Sequence, residues 1–206
     1  MPGGTVERVN PVIVLNGGSS SGKTSIARSL QRLLGATWMT LGVDDLIRAL
    51  PGGEQLDDLI RAQQDGGEVA GTEEPVGFGP DGSVVVGDDF RRAEASWYAG
   101  IAAIGRCGTG LIIDEVFLGG RSSQERLASA LGDIPVVWIG VRCAPEVAEV
   151  RERRRPDRVG GMARLQAARV HEGVVYDLIV DTTATSAAEC ARTVAAHLRA
   201  PATDIS

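Results

Sequence analysis

The feature that most constrains this chain is the stretch Val12–Ala27, VIVLNGGSSSGKTSIA. It opens with a short apolar run rich in β-branched residues, which reads as a buried strand. Gly17, Gly22, Lys23 and Thr24 then spell G-x-x-x-x-G-K-T, and Ile26, Leu30, Leu33 and Leu34 recur at helical spacing behind them. A loop that wraps a polyphosphate must turn backbone N–H groups inward, in conformations glycine tolerates best, and the following helix adds its N-terminal partial charge. Gly17, Gly18, Ser19, Ser20, Ser21 and Gly22 are therefore expected to cradle the phosphates of a nucleotide, with Lys23 reaching the β- and γ-phosphates and the Thr24 hydroxyl ligating Mg²⁺. The plain alternative, a Gly/Ser turn before an ordinary helix, explains neither the lysine nor the hydroxyl at these positions.

Thr37–Val43 reads as a second strand, followed at once by Asp44, Asp45 and a short helix that Pro51 ends. In an open α/β sheet, ligands sit beyond the carboxyl ends of the strands, which places Asp44 where the P-loop also opens. A carboxylate there could take the proton of a substrate hydroxyl as its oxygen attacks the γ-phosphate; it could equally be a helix N-cap. Leu111-Ile112-Ile113-Asp114-Glu115 is an apolar strand ending in acids, the form in which a first carboxylate, Asp114, holds Mg²⁺. Ile134–Val141 and Val174–Val180 read as further strands, separated by helical stretches. The alternation predicts an α/β fold with five parallel strands and crossover helices. Pro75–Val86 reads as a hairpin, and Asp88 or Asp89 starts a helix to about Arg106 whose Trp97 and Tyr98, like Phe78, are candidates for a substrate pocket or simply for the core.

Charge is unevenly placed. Pro51–Glu74 holds seven acids and one base, which equals the whole chain's net charge of −6. With no basic stripe, polybasic patch or long apolar run, neither a nucleic acid nor a membrane is an expected partner; a small molecule is. Five arginines fall within Arg151–Arg158. Such a run is often a solvated helix end, but its place after the fourth strand suits a closing lid over a transferring phosphate. Cys107, Cys143 and Cys190 lack metal-ligand spacing and read as reduced thiols of a cytoplasmic protein; His171 and His197 are too isolated for a metal site. The expected organisation is a loose leader at 1–10, one domain over 11–200 with an acidic insertion at 51–74 and a lid region near 142–170, and a tail at 201–206.

Several stretches together resemble the chloramphenicol 3-O-phosphotransferase family: LNGGSSSGKT, GVDDLI, GLIIDEVFLGG, VWIGVRC, RERRRPDRVGGMA and VHEGVVYDLIVDTT. The resemblance covers roughly Val12–Leu198 apart from the acidic insertion. It implies a P-loop NTPase-type three-layer sandwich with strand order 2-3-1-4-5 and a helical lid, and transfer of the γ-phosphate of ATP to a primary hydroxyl of the antibiotic. It further implies Asp44 as catalytic base and Lys23 and Thr24 as phosphate and magnesium residues, with Asp114 as the acid ending the third core strand. Arg155 and Arg158 would be lid arginines on the phosphate, Arg151 one at the lid's start, and adenine would lie between the lid base and the turn at Asp181–Thr183. Two departures bear on the acceptor: the insertion follows the helix after Asp44, and Glu115 stands where the antibiotic-modifying enzyme has an aspartate. Other small alcohols are therefore alternative acceptors. A nucleotide-dependent regulatory ATPase, with Glu115 positioning water, is the reading of a different class. Oligomeric state stays open, a homo-oligomer included.

Overall fold

The structure is a computed structural model that describes residues 11–35, 37–51, 76–78, 84–154 and 161–200, with only the backbone of Gly77 and Phe78. The expected leader, nearly all of the acidic insertion, the Phe78 side chain, Arg155, Arg158 and the tail lie outside the described residues. In chain order the elements are β1 (Val12–Asn16), α1 (Lys23–Leu34), β2 (Trp38–Gly42), α2 (Val43–Ala49), β3 (Val76–Phe78), β4 (Val84–Val86), α3 (Asp88–Arg106), β5 (Gly110–Glu115), α4 (Arg121–Leu131), β6 (Val136–Arg142), α5 (Pro145–Glu152), α6 (Met162–Arg169), β7 (Leu178–Asp181) and α7 (Ala187–Arg199).

Among the described residues five parallel strands form one sheet in the order β2-β5-β1-β6-β7. Counted by their sequence within the sheet, that is 2-3-1-4-5. Central β1 is buried along its whole length, as a strand covered on both faces must be, and for that reason its sequence is continuously apolar rather than alternating. Its pleat sends Ile13 and Leu15 to one face, where they pack with Ile26 and Leu30 of α1 and Val194 of α7. Val12 and Val14 go to the other face, against Ile101 of α3, Leu127 of α4 and Ile113 of β5. A helix, sheet, helix sandwich results.

Register carries the site. Asn16, the last residue of β1, pairs with Glu115, while Gly42, the last of β2, pairs with Asp114. Two carboxylates and the start of the P-loop are thus brought to one sheet edge by strand pairing alone. The antiparallel β3–β4 hairpin stands apart from the sheet, and Val76 joins Leu46 of α2 and Phe90 of α3 in a separate small apolar cluster. Ile113 is fully buried in the sheet's centre; trimming it to valine is expected to cost about 1 kcal/mol and lower the melting temperature by about 2–4 °C, read by calorimetry.

Candidate active site

The P-loop runs from the end of β1 into α1. Gly22 has φ 92°, a left-handed conformation that a side chain would strain, and Ser20 adopts φ 57° despite its side chain. Strained backbone at a non-glycine residue marks a loop shaped for something other than its own stability. The hydroxyls of Ser19, Ser20 and Ser21 are buried, with no hydrogen-bond partner among the described residues. Three unpaired polar atoms in one loop are costly unless a ligand meets them, and together with the α1 N-terminus they make a fitting anion cradle.

Lys23, the first residue of α1, is buried and folds back so that Nζ donates to the Gly18 carbonyl at 2.9 Å and lies 3.8 Å from Asp114 Oδ1. Thr24 Oγ1 donates to Asp114 Oδ2 at 2.6 Å. A hydroxyl and a carboxylate side by side are the hard oxygen donors that suit Mg²⁺, so Thr24 and Asp114 would hold the ion and Lys23 the phosphates. On the outer side of the loop, Thr182 Oγ1 donates to the Ser21 carbonyl at 2.7 Å, and Arg151 of α5 donates to the Thr182 carbonyl at 2.7 Å. Arg151 therefore braces the P-loop through the turn after β7.

The two aspartates at α2 separate cleanly. Asp45 Oδ2 accepts from the Gly42 N–H at 2.8 Å, so the bond that secures the helix start belongs to Asp45. Asp44 instead lines a cavity of about 410 Å³ together with Ser19, Lys23, Thr24 and Asp114. The same cavity extends over an apolar wall of Val43, Ile47, Val76, Val84 and Phe90, and its floor carries Tyr98, Glu94 and Glu115. Of the aromatics of α3, Phe90 and Tyr98 line the cavity, Tyr98 as a buried member of the core as well, while Trp97 packs partly buried against that core. Glu94 is held by Arg91 at 2.9 Å and by Arg126 at 3.0 Å. Glu115 is buried beside Glu94 and Asp114; burial first, then these two carboxylates, push its carboxyl up to about 8, so it keeps its proton at neutral pH. Tyr98 is driven above the ordinary tyrosine value, first by burial and then by Glu115 and Glu94.

Some functional positions had no signal beyond a polar residue in an ordinary place. Asn16 donates to the Val170 carbonyl at 2.7 Å and to Tyr176 Oη at 2.6 Å, and accepts from the Phe117 N–H at 2.9 Å. One amide thus joins the strand before the P-loop to the chain after β5 and to the end of α6. Tyr176 also meets His171 Nδ1 at 2.6 Å, which ties His171 into the same network. Burial, then Arg142 and Lys23, lower the His171 pKa from 6.5 to about 4. The unfolded chain takes up this proton at higher pH than the folded one, so stability is intact above about 6.5 and is lost as pH falls through about 4. Replacing His171 with Gln should flatten the acid limb of a plot of melting temperature against pH; an unchanged slope would refute the assignment.

A five-stranded parallel sheet in this order, with a P-loop on its first strand, an acid ending its third and an apolar-walled cavity between, defines a P-loop small-molecule phosphotransferase. The chloramphenicol phosphotransferase-like family matches residues 10–199, and the chain belongs to that family. A candidate O-phosphotransferase of Mycobacterium tuberculosis (strain H37Rv) is 37% identical over 184 residues, covering 88% of this chain and 79% of the relative. Among solved structures, a sugar kinase from Janibacter sp. aligns with a TM-score of 0.60 at 17% identity, over 91% of this chain and 93% of its own. A gluconokinase from Sinorhizobium meliloti aligns with a TM-score of 0.57 at 20% identity, over 93% of each chain. These two likenesses establish the shared fold. Among the described residues no helix is long and apolar enough to cross a membrane.

Proposed function

We propose that the enzyme moves the γ-phosphate of ATP to a hydroxyl of a small molecule in the cytoplasm, with chloramphenicol or a related antibiotic as acceptor and inactivation of the drug as the outcome. The observation that carries this reading is that Asp44 lines the same cavity as Lys23, Thr24 and Asp114, beside an apolar wall that suits an aromatic or aliphatic alcohol. In this mechanism the nucleotide's phosphates lie along Gly17–Thr24. Asp44 accepts the acceptor's hydroxyl proton as the oxygen attacks, and Lys23 stabilises the charge gathering on the transferring group. Thr24 and Asp114 would hold Mg²⁺, which when bound would supply charge neutralisation to the phosphates. Arg155 and Arg158 are assigned to the closing lid, and Arg151 to its root beside the nucleotide.

The regulatory-ATPase reading needs Glu115 as a base for water. That reading has no use for Asp44, which lines the cavity beside Lys23, Thr24 and Asp114. The deciding experiment is a screen of alcohol-bearing metabolites and antibiotics, chloramphenicol included, for ADP release and a phosphorylated product by mass spectrometry. Release that no alcohol accelerates would overturn the transferase reading; a product other than chloramphenicol phosphate would correct the acceptor alone.

A further inference from the structure

Gln166 belongs to none of the roles above, yet it sits against the phosphate cradle. It lies on α6, is only 4% exposed, and lines the cavity beside Ser19, Ser20 and Lys23. Its Oε1 accepts from the Ser19 N–H at 2.8 Å. Because an N–H must meet the oxygen of the amide, this bond fixes which end of the side chain is which, and Nε2 is the end left over. Nε2 has no hydrogen-bond partner among the described residues. The approach is close as well as polar: a Cβ on Gly18 would lie 3.2 Å from Gln166 Cβ and 3.3 Å from its carbonyl carbon, a tight contact, so α6 packs closely on the loop there. Met162, one turn earlier on α6, lines the same cavity.

We propose that Gln166 is a ligand of the nucleotide's terminal phosphate: with Oε1 locked on the Ser19 N–H, its Nε2 donates to a γ-phosphate oxygen, so that the root of the lid distinguishes a nucleoside triphosphate from a diphosphate. The assignment rests on the nucleotide-site reading above. Its physical basis is that the Ser19 N–H, a donor the loop would otherwise turn on phosphate, is spent on Gln166, and the amide passes that donor function into the cavity. An amide does so without adding charge next to Lys23. It is oriented before the ligand arrives, so little rotamer entropy is lost on binding.

The test is calorimetric titration of the full chain with Mg-AMPPNP and with Mg-ADP, comparing wild type, Gln166→Glu and Gln166→Met. Glutamate retains an oxygen for Ser19 but turns the donor into an anion, while methionine removes both polar ends at similar length. A hydrogen bond to a charged group is worth about tenfold to a hundredfold in affinity. Gln166→Glu is therefore expected to weaken AMPPNP by at least about tenfold and ADP by less than about threefold, with Gln166→Met shifting the ratio in the same direction by a smaller factor. ADP binding also reports that each variant has kept its folded cradle. Equal weakening of both nucleotides, or none, would overturn the assignment and leave Gln166 a prop of the loop. Failure of the wild-type protein to bind either nucleotide would instead remove the nucleotide site itself, and this inference with it.

Discussion

Replacing Asp44 with asparagine is expected to cut phosphoryl transfer by about a thousandfold while leaving nucleotide affinity unchanged. A positioned general base contributes roughly 10²–10⁴ in rate, and the amide retains size and polarity but cannot take a proton. Asp44 lies on α2 rather than on the P-loop, and the bond from the Gly42 N–H at the helix start goes to Asp45, which the variant leaves in place. Titration with a fluorescent ATP analogue and single-turnover transfer to an acceptor from the alcohol screen separate binding from chemistry. Undiminished transfer in the variant would take Asp44 out of the role.

Lys23→Met should behave differently, losing on both counts. Lys23 is buried at the mouth of α1, 2.9 Å from the Gly18 carbonyl and 3.8 Å from Asp114. Without its ammonium the phosphates lose a fixed cation, and Asp114 faces them unbalanced. Preorganised charge of this kind is worth about 10²–10³ in rate when a single donor is removed. The expected result is a loss of that size in transfer, together with AMPPNP binding weakened by at least about tenfold. Transfer lost with AMPPNP affinity intact would mean that Lys23 acts on the transition state alone, contrary to the ground-state contact assigned here.

The strand, loop and helix around Gly17–Thr24 were legible in the sequence because every part of that signal is local: β-branched run, glycines, lysine, helical repeat. The sheet order came through the resemblance, and strand pairing bears it out. Other features depended on contacts between distant residues. Asp44 and Asp45 are indistinguishable as letters; they separate only because the Asp45 carboxylate turns back to the Gly42 N–H. The last strand was expected from Val174 but begins at Leu178. Gln124 of α4 holds both the N–H and the carbonyl of Val175, Tyr176 turns inward to Asn16 and His171, and the Val174 N–H bonds back to the His171 carbonyl, so this stretch is tied up in side-chain and turn bonds before the strand begins. Gln166 was silent for a similar reason: one glutamine on a helix carries no message until Ser19 is found 2.8 Å away.

The β3–β4 hairpin, α2 and the start of α3 share a small core centred on Leu46, Val76 and Phe90, which meets one of the two cores of the sheet at Trp97. Half of the pocket can therefore be remodelled as a cassette. Substitutions at Val84, Val86 or Ile47 alter the contour offered to an incoming alcohol, while the strands that register Asn16 against Glu115 and Gly42 against Asp114 stay where they are. A chain built this way can acquire a taste for a new molecule without relearning how to hand over a phosphate.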